Sequence, residues 1–150
     1  MAVKLIDFAE KSYLCAMKAD IPIRKVEDIA VAIMPPLLEP DSTLWEVYLI
    51  NLKGDAIENV LVSSRGYGTK EGEEINTSVL RHFIERMAPL SYHKIEQIQT
   101  ELFVLNNEYW VSFSYDDFLF DKKYTFEQGS ISIDNFTRIP FLNRDGVMLD

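Results

Sequence analysis

The sequence predicts an α+β fold that is mainly antiparallel β: a sandwich-like sheet of about six strands, an N-terminal helix, and one helix between two hairpin groups. Three observations predict it. Short apolar segments alternate with period two and are joined by turn signals, which builds hairpins. Two segments, residues 3–19 and 77–88, repeat their apolar residues at helical spacing instead. Regular βαβ alternation is missing, which argues against a doubly wound parallel sheet. With 150 residues, 47% of them apolar and 26% charged, the chain is long enough for one domain with a core of its own. Residues 1–20 read as a helical extension and residues 21–150 as a β-rich body.

In residues 3–19, Leu5, Ile6, Ala9, Tyr13, Ala16 and Met17 fall on one arc of a helical wheel, with Lys4, Asp7, Glu10, Lys11 and Lys18 opposite. Pro22 pushes Ile21 out of helical geometry and ends the helix near Asp20. Such a helix docks on its own body or on another chain. Residues 26–34 are β-branched and small, a strand, and Pro35-Pro36 stop it. Residues 43–52 carry Trp45, Val47 and Leu49 on one face and Leu44, Tyr48, Ile50 and Leu52 on the other, the pattern of a central strand buried on both sides. The Lys53-Gly54-Asp55 turn is expected to fold this strand back on residues 57–64 as a hairpin.

The glycines of Arg65-Gly66-Tyr67-Gly68 place that stretch in a polar loop. Beyond it, Asn76 or Thr77 as cap and Leu80, Phe83, Ile84 and Met87 as a stripe predict the second helix, ended by Pro89. Residues 92–98 read as a strand. Residues 102–105 form a short apolar run before Asn106-Asn107. Residues 109–115 and 118–126, joined by Asp116-Asp117, form a second hairpin. The apolar tail, with Ile131, Ile133, Phe136, Ile139, Phe141 and Leu142, is expected to wrap across the body before an Asn143-Arg144-Asp145-Gly146 turn.

Charge narrows the function. Fifteen basic against 24 acidic residues leave a net charge of −9. The surplus of acid lies in the body, since residues 1–25 are net positive, and an acidic body repels polyanions. Nucleic acid is therefore not expected as a partner. No run of apolar residues approaches the roughly 20 of a membrane span, and Lys4, Asp7, Glu10 and Lys11 break up any secretory h-region. With a single thiol, Cys15, and no recognisable leader, the cytoplasm is the expected location.

Motifs for chemistry are sparse. Gly66 and Gly68 allow close backbone approach, and Arg65 suits a carboxylate or phosphate. No third glycine or Walker lysine follows. Arg65, Gly66, Tyr67 and Gly68, with His93, make the candidate ligand-binding residues. His82 is followed four residues on by Arg86, which disfavours a cation; His93 and Glu96 make only two ligands, so no metal is expected. Gly-x-Ser-x-Gly is absent, and no catalytic residue or cofactor is assigned. The acidic groups Asp116, Asp117, Asp121 and Glu71, Glu73, Glu74 read as solvated turns.

Residues 44–52 (LWEVYLINL), 57–68 (IENVLVSSRGYG) and 107–113 (NEYWVSF), with 129–131 and 136–140, resemble a family of short uncharacterised bacterial proteins. Some of that family carry the label phenylalanine–tRNA synthetase alpha chain. The similarity spans about residues 21–149 and carries no functional residue to this chain. The label does not suit it: aminoacylation needs ATP, amino-acid and tRNA sites, and the acidic body is wrong for tRNA. The expectation is a non-enzymatic interaction or accessory domain, with a protein partner or self-association through the 3–19 helix. The alternative is a small-ligand-binding protein or enzyme with a pocket near Arg65 and Tyr67.

Overall fold

Period-two alternation governs far more of the chain than the sequence reading assigned to it. The computed structural model describes residues 2–4 and 25–150. Its strands are β1 (Ala2–Lys4), β2 (Ile29–Met34), β3 (Leu44–Asn51), β4 (Ile57–Lys70), β5 (Glu73–Asn76) and β6 (Leu80–Met87). They continue with β7 (Ser91–Gln99), β8 (Asn106–Tyr115), β9 (Phe118–Phe126), β10 (Thr137–Ile139) and β11 (Arg144–Leu149). All pairings are antiparallel. One sheet runs β1-β9-β8-β4, with β5 and β6 following each other along the far edge of β4; the other runs β10-β11-β2-β3-β7. Apart from β1, the predicted 3–19 helix lies outside the described residues, as does Cys15.

The α+β class is corrected to an all-β one. Among the described residues there is no α-helix, only 3-10 turns at Thr100–Val104 and Ile133–Asn135. The predicted helix at 77–88 is largely strand β6. Its supposed stripe divides, with Ile84 and Met87 buried while Leu80 and Phe83 are half or more exposed. The cause sits on the neighbouring strand. Asn59 takes a positive φ of 51°, and the β4–β8 register slips between Glu58 and Leu61. Ile57 and Val60 therefore both reach the core, and their partners Met87 and Ile84 follow at the same three-residue spacing. A bulge has imitated a helical interval.

A second correction concerns the first predicted hairpin. β3 and β4 do not pair; they belong to opposite sheets. The Lys53-Gly54-Asp55 link is an arch between layers, held by the fully buried Asn51. Its amide donates to the carbonyls of Asp55 and Ala88, each at 3.0 Å, and its Oδ1 accepts from the Lys53 N–H at 3.0 Å. The second hairpin stands: β8 and β9 pair through Asp116 and Asp117, both at positive φ as a type I′ turn requires. The stretch 65–68 is strand, not loop, because β4 continues to Lys70. The tail does not merely wrap; β10 and β11 form a hairpin that completes the second sheet beside β2, and Arg144 begins a strand where a turn was expected.

The core lies between the sheets. Ile29, Val31, Ile33, Val47 and Leu49 from one meet Val60, Val62, Val111, Phe113 and Phe126 from the other. β3 is central, as its two apolar faces predict, and Trp45 packs edge-on against Phe103 and Phe136. The outer face of the five-stranded sheet holds a second apolar cluster around Ala30, Ala32, Met34, Ile50 and Ile139. At its end Arg144 donates to the Pro35 carbonyl (2.6 Å) and to Glu46 (2.8 Å), which also accepts from Lys94 (3.0 Å). This ties β11, β3 and β7 together across β2.

Burial alone would raise the Glu46 carboxyl, but its bonds to Arg144 and Lys94 outweigh that and hold it below its ordinary 4.5. A depressed carboxyl contributes stability that is complete above the ordinary value and lost as pH falls through the depressed one. Glu46→Gln should therefore flatten the acid limb of unfolding free energy against pH. Gly146 supplies a steric test. A Cβ there would sit 2.6 Å from the Ile33 carbonyl oxygen, whereas at Gly54 nothing lies within 4 Å. In urea titrations Gly146→Ala should cost about 1–3 kcal/mol, and Gly54→Ala should be neutral or gain up to about 1 kcal/mol.

Candidate functional site

Two breaks in strand regularity open a candidate cleft. The β3–β7 register shifts between Val47 and Tyr48: Val47 faces Glu96 and Tyr48 faces Lys94, so Ile95 is an extra residue. The bulge turns both Ile95 and Glu96 toward the six-stranded sheet, Ile95 into the core and Glu96 onto polar groups of β4 and β8. The second break is the gap between β5 and β6. There the Thr77 N–H donates to the Gly66 carbonyl at 2.8 Å, and Thr77 Oγ1 accepts from the Gly66 N–H at 2.7 Å. Position 66 is tight: a Cβ would stand 3.2 Å from side-chain atoms of both Thr77 and Asn107, which would have to give by a few tenths of an ångström.

Between these breaks lies a cleft of about 220 Å³. Ser64, Arg65, Thr77, Ser78, Glu96, Gln97, Gln99 and Asn107 supply its polar wall, and Leu80, Ile98 and Leu102 its apolar one. Glu96 is its hub. Its Oε1 accepts from Ser64 Oγ at 2.7 Å and stands 2.7 Å from His82 Nε2, while Oε2 accepts from the Tyr109 hydroxyl at 3.2 Å. Sheet register makes this convergence: Ser64 is directly opposite Tyr109 on β8, and His82 opposite Val62 on β4. A carboxylate with a side chain only 11% exposed needs such donors to offset its lost hydration. Burial first, then the Glu96 charge and hydrogen bond, push the Tyr109 phenol well above its ordinary value of 10.0, so it stays a donor.

This wiring differs from a Ser–His–carboxylate relay, in which the imidazole stands between the other two groups. Here Ser64 gives its proton to the carboxylate directly, and His82 meets the same oxygen. Arg65 and Glu108 form a second pair at 3.1 Å, with the guanidinium 4.7 Å from the centre of the Tyr67 ring. The charged side chains at the cleft are thus paired among themselves.

Of the residues singled out from sequence, Arg65 and Gly66 line the cleft. Tyr67 stands beside it as the surface on which Arg65 rests, and Gly68 packs against Leu105. His93 is exposed opposite Leu49 and takes no part. Ser64, His82, Glu96 and Tyr109 carry the network. His82 was hidden by the helical reading of its segment; as strand, His82 and Ile84 alternate inward together. Among the described residues no group of three His, Cys, Asp or Glu side chains is placed to hold a metal ion. No helix among them is long and apolar enough to cross a membrane.

Comparison with protein-family models, curated proteins and solved structures returned no match.

The phenols give a direct check. Burial, then the Asp150 charge, also raises Tyr124, whose hydroxyl donates to the Ile29 carbonyl at 2.7 Å. In a spectrophotometric alkaline titration these two phenols should ionise above the ordinary phenol value of 10.0, and Tyr109→Phe should remove one of them from that late phase. A raised phenol contributes stability that is complete below pH 10.0 and lost as pH climbs through the raised value. Tyr109→Phe should therefore also soften alkaline unfolding, at a cost of about 0.5–1.5 kcal/mol at neutral pH.

Proposed function

We propose that this chain is a non-enzymatic binding module whose cleft takes a small, neutral molecule bearing hydroxyl or amide groups and one apolar face. The observation that carries this reading is the internal pairing of the cleft's charges. Glu96 is occupied by three neighbours and Arg65 by Glu108, so an anion would have to compete with Glu108 for Arg65, and a cation with the neighbours of Glu96. What the walls offer a ligand instead is neutral: Thr77, Ser78, Gln97, Gln99 and Asn107 facing Leu80, Ile98 and Leu102. The anion-binding role suggested by Arg65 in isolation loses support for the same reason. The direct bond from Ser64 to Glu96 holds the hydroxyl as a donor in the wall rather than presenting it to an imidazole base.

A thermal-shift screen of small sugars, polyols and amides tests the reading. A true ligand at 100 times its dissociation constant should add about 2.7 kcal/mol of stability. Ser78→Trp, which fills the cleft from an exposed position, should abolish the shift without changing the unliganded melting point. A shift that survives Ser78→Trp would place binding elsewhere, and stabilisation by anions alone would return the role to Arg65.

The interaction-domain reading has its own support on the outer face of the six-stranded sheet. There Leu61 (38% exposed), Phe83 (64%) and Trp110 (45%) stand on three adjacent strands, with Phe83 directly opposite Leu61.

A further inference from the structure

We infer that a second copy of this chain pairs with β6 edge to edge, antiparallel about a two-fold axis through Phe83. Among the described residues β6 pairs only with β4, so its other side presents them with a row of backbone donors and acceptors. Proteins blunt such edges with bulges or prolines, but from Val60↔Ile84 to Ser64↔Leu80, clear of the Asn59 bulge, the β4–β6 register is unbroken, and Pro is absent from the strand. Apolar side chains are left there in solvent as well: Leu80 is 50% exposed and Phe83 64%.

The side chains of β6 then choose the partner. Arg81, Phe83 and Glu85 lie on the outward face, since Phe83 pairs with Leu61 and the alternating Ile84 is buried. A one-residue slip would throw a partner's side chains onto the wrong face, so only every second register is allowed. The register centred on Phe83 sets Phe83 against the second copy's Phe83, and each Arg81 against the second copy's Glu85. One apolar contact is then flanked by two opposite-charge pairs. Moving to either neighbouring allowed register sets Phe83 against Arg81 or Glu85 and loses both ion pairs. Within the chain, no ion pair engages Arg81 or Glu85 among the described residues. A strand that reads as its own complement, with its charges uncommitted, fits an isologous interface. The pairing would join two six-stranded sheets into one continuous surface. It is independent of what the cleft binds.

Sedimentation velocity of the full chain across a concentration series tests this. The wild-type protein should show a concentration-dependent dimer. Arg81→Glu sets two acidic pairs face to face and Glu85→Arg two basic ones, so each variant alone should dimerise at least roughly tenfold more weakly. Mixed in equal amounts, the two variants are complementary at both positions and should recover wild-type association as a heterodimer. Circular dichroism of each variant, and its melting at a concentration where the wild type is monomeric, should match the wild type, because both positions are exposed. A chain that stays monomeric at every concentration overturns the proposal. A dimer indifferent to either charge change, as one built on the 3–19 segment would be, overturns it also, as does a mixture that fails to recover.

Discussion

The arch at Asn51 decides everything downstream of it. One side chain with no solvent exposure spends both its amide hydrogens on carbonyls from two separate links, Asp55 and Ala88, and its oxygen on the Lys53 amide. Because those bonds hold the chain as it leaves one layer and enters the other, β4 starts in the sheet opposite β3. That placement leaves β3 available to β7 and puts β4 between β8 and β6. It also stands the inward faces of β7 and β4 opposite one another, where the cleft forms. A buried amide whose partners all lie in links rather than strands sets a topology more than it adds stability, since each neutral hydrogen bond contributes only about 1 kcal/mol net.

Glu96 depends on that arrangement. Placed one residue earlier or later on an unbulged strand, its carboxylate would face solvent; with Ile95 inserted, it enters a site where β4, β6 and β8 each supply a donor. The network in turn spans the two layers near their β6–β7 margin. Its two oxygens already meet Ser64, His82 and Tyr109, so the carboxylate at the cleft is committed to the wall rather than to a ligand.

How much of this was legible in the sequence follows from what each signal measures. Strand positions read well at β2, β3, β8 and β9, and at β7 in spite of its extra Ile95, and Asp116-Asp117 marks its turn. Periodicity failed at bulges. The positive φ of Asn59 turned a two-residue interval into three, and Leu80, Phe83, Ile84 and Met87 then looked helical. Turn chemistry cannot separate a hairpin from an arch, because both need a polar, glycine-containing reversal; only Asn51's remote partner Ala88 makes the distinction. For the site, Arg65 and Gly66 were legible as the most motif-like stretch. His82 and Glu96 were not, since they meet across two sheets and the second reaches the interior by virtue of a bulge.

The closure of the five-stranded sheet bears on how the protein is made. β2 receives one neighbour from nearby β3 and the other from β11, with Ile33 paired to Val147. A ribosome must therefore deliver the chain through Leu149 before that sheet has its full complement of strands. Until then β2 shows an unpaired border of Ile29–Met34, six apolar residues in a row, to every other nascent chain nearby. The strand synthesised early is thus hostage to the strand that emerges late, and the interval between them leaves an apolar border open to misassembly.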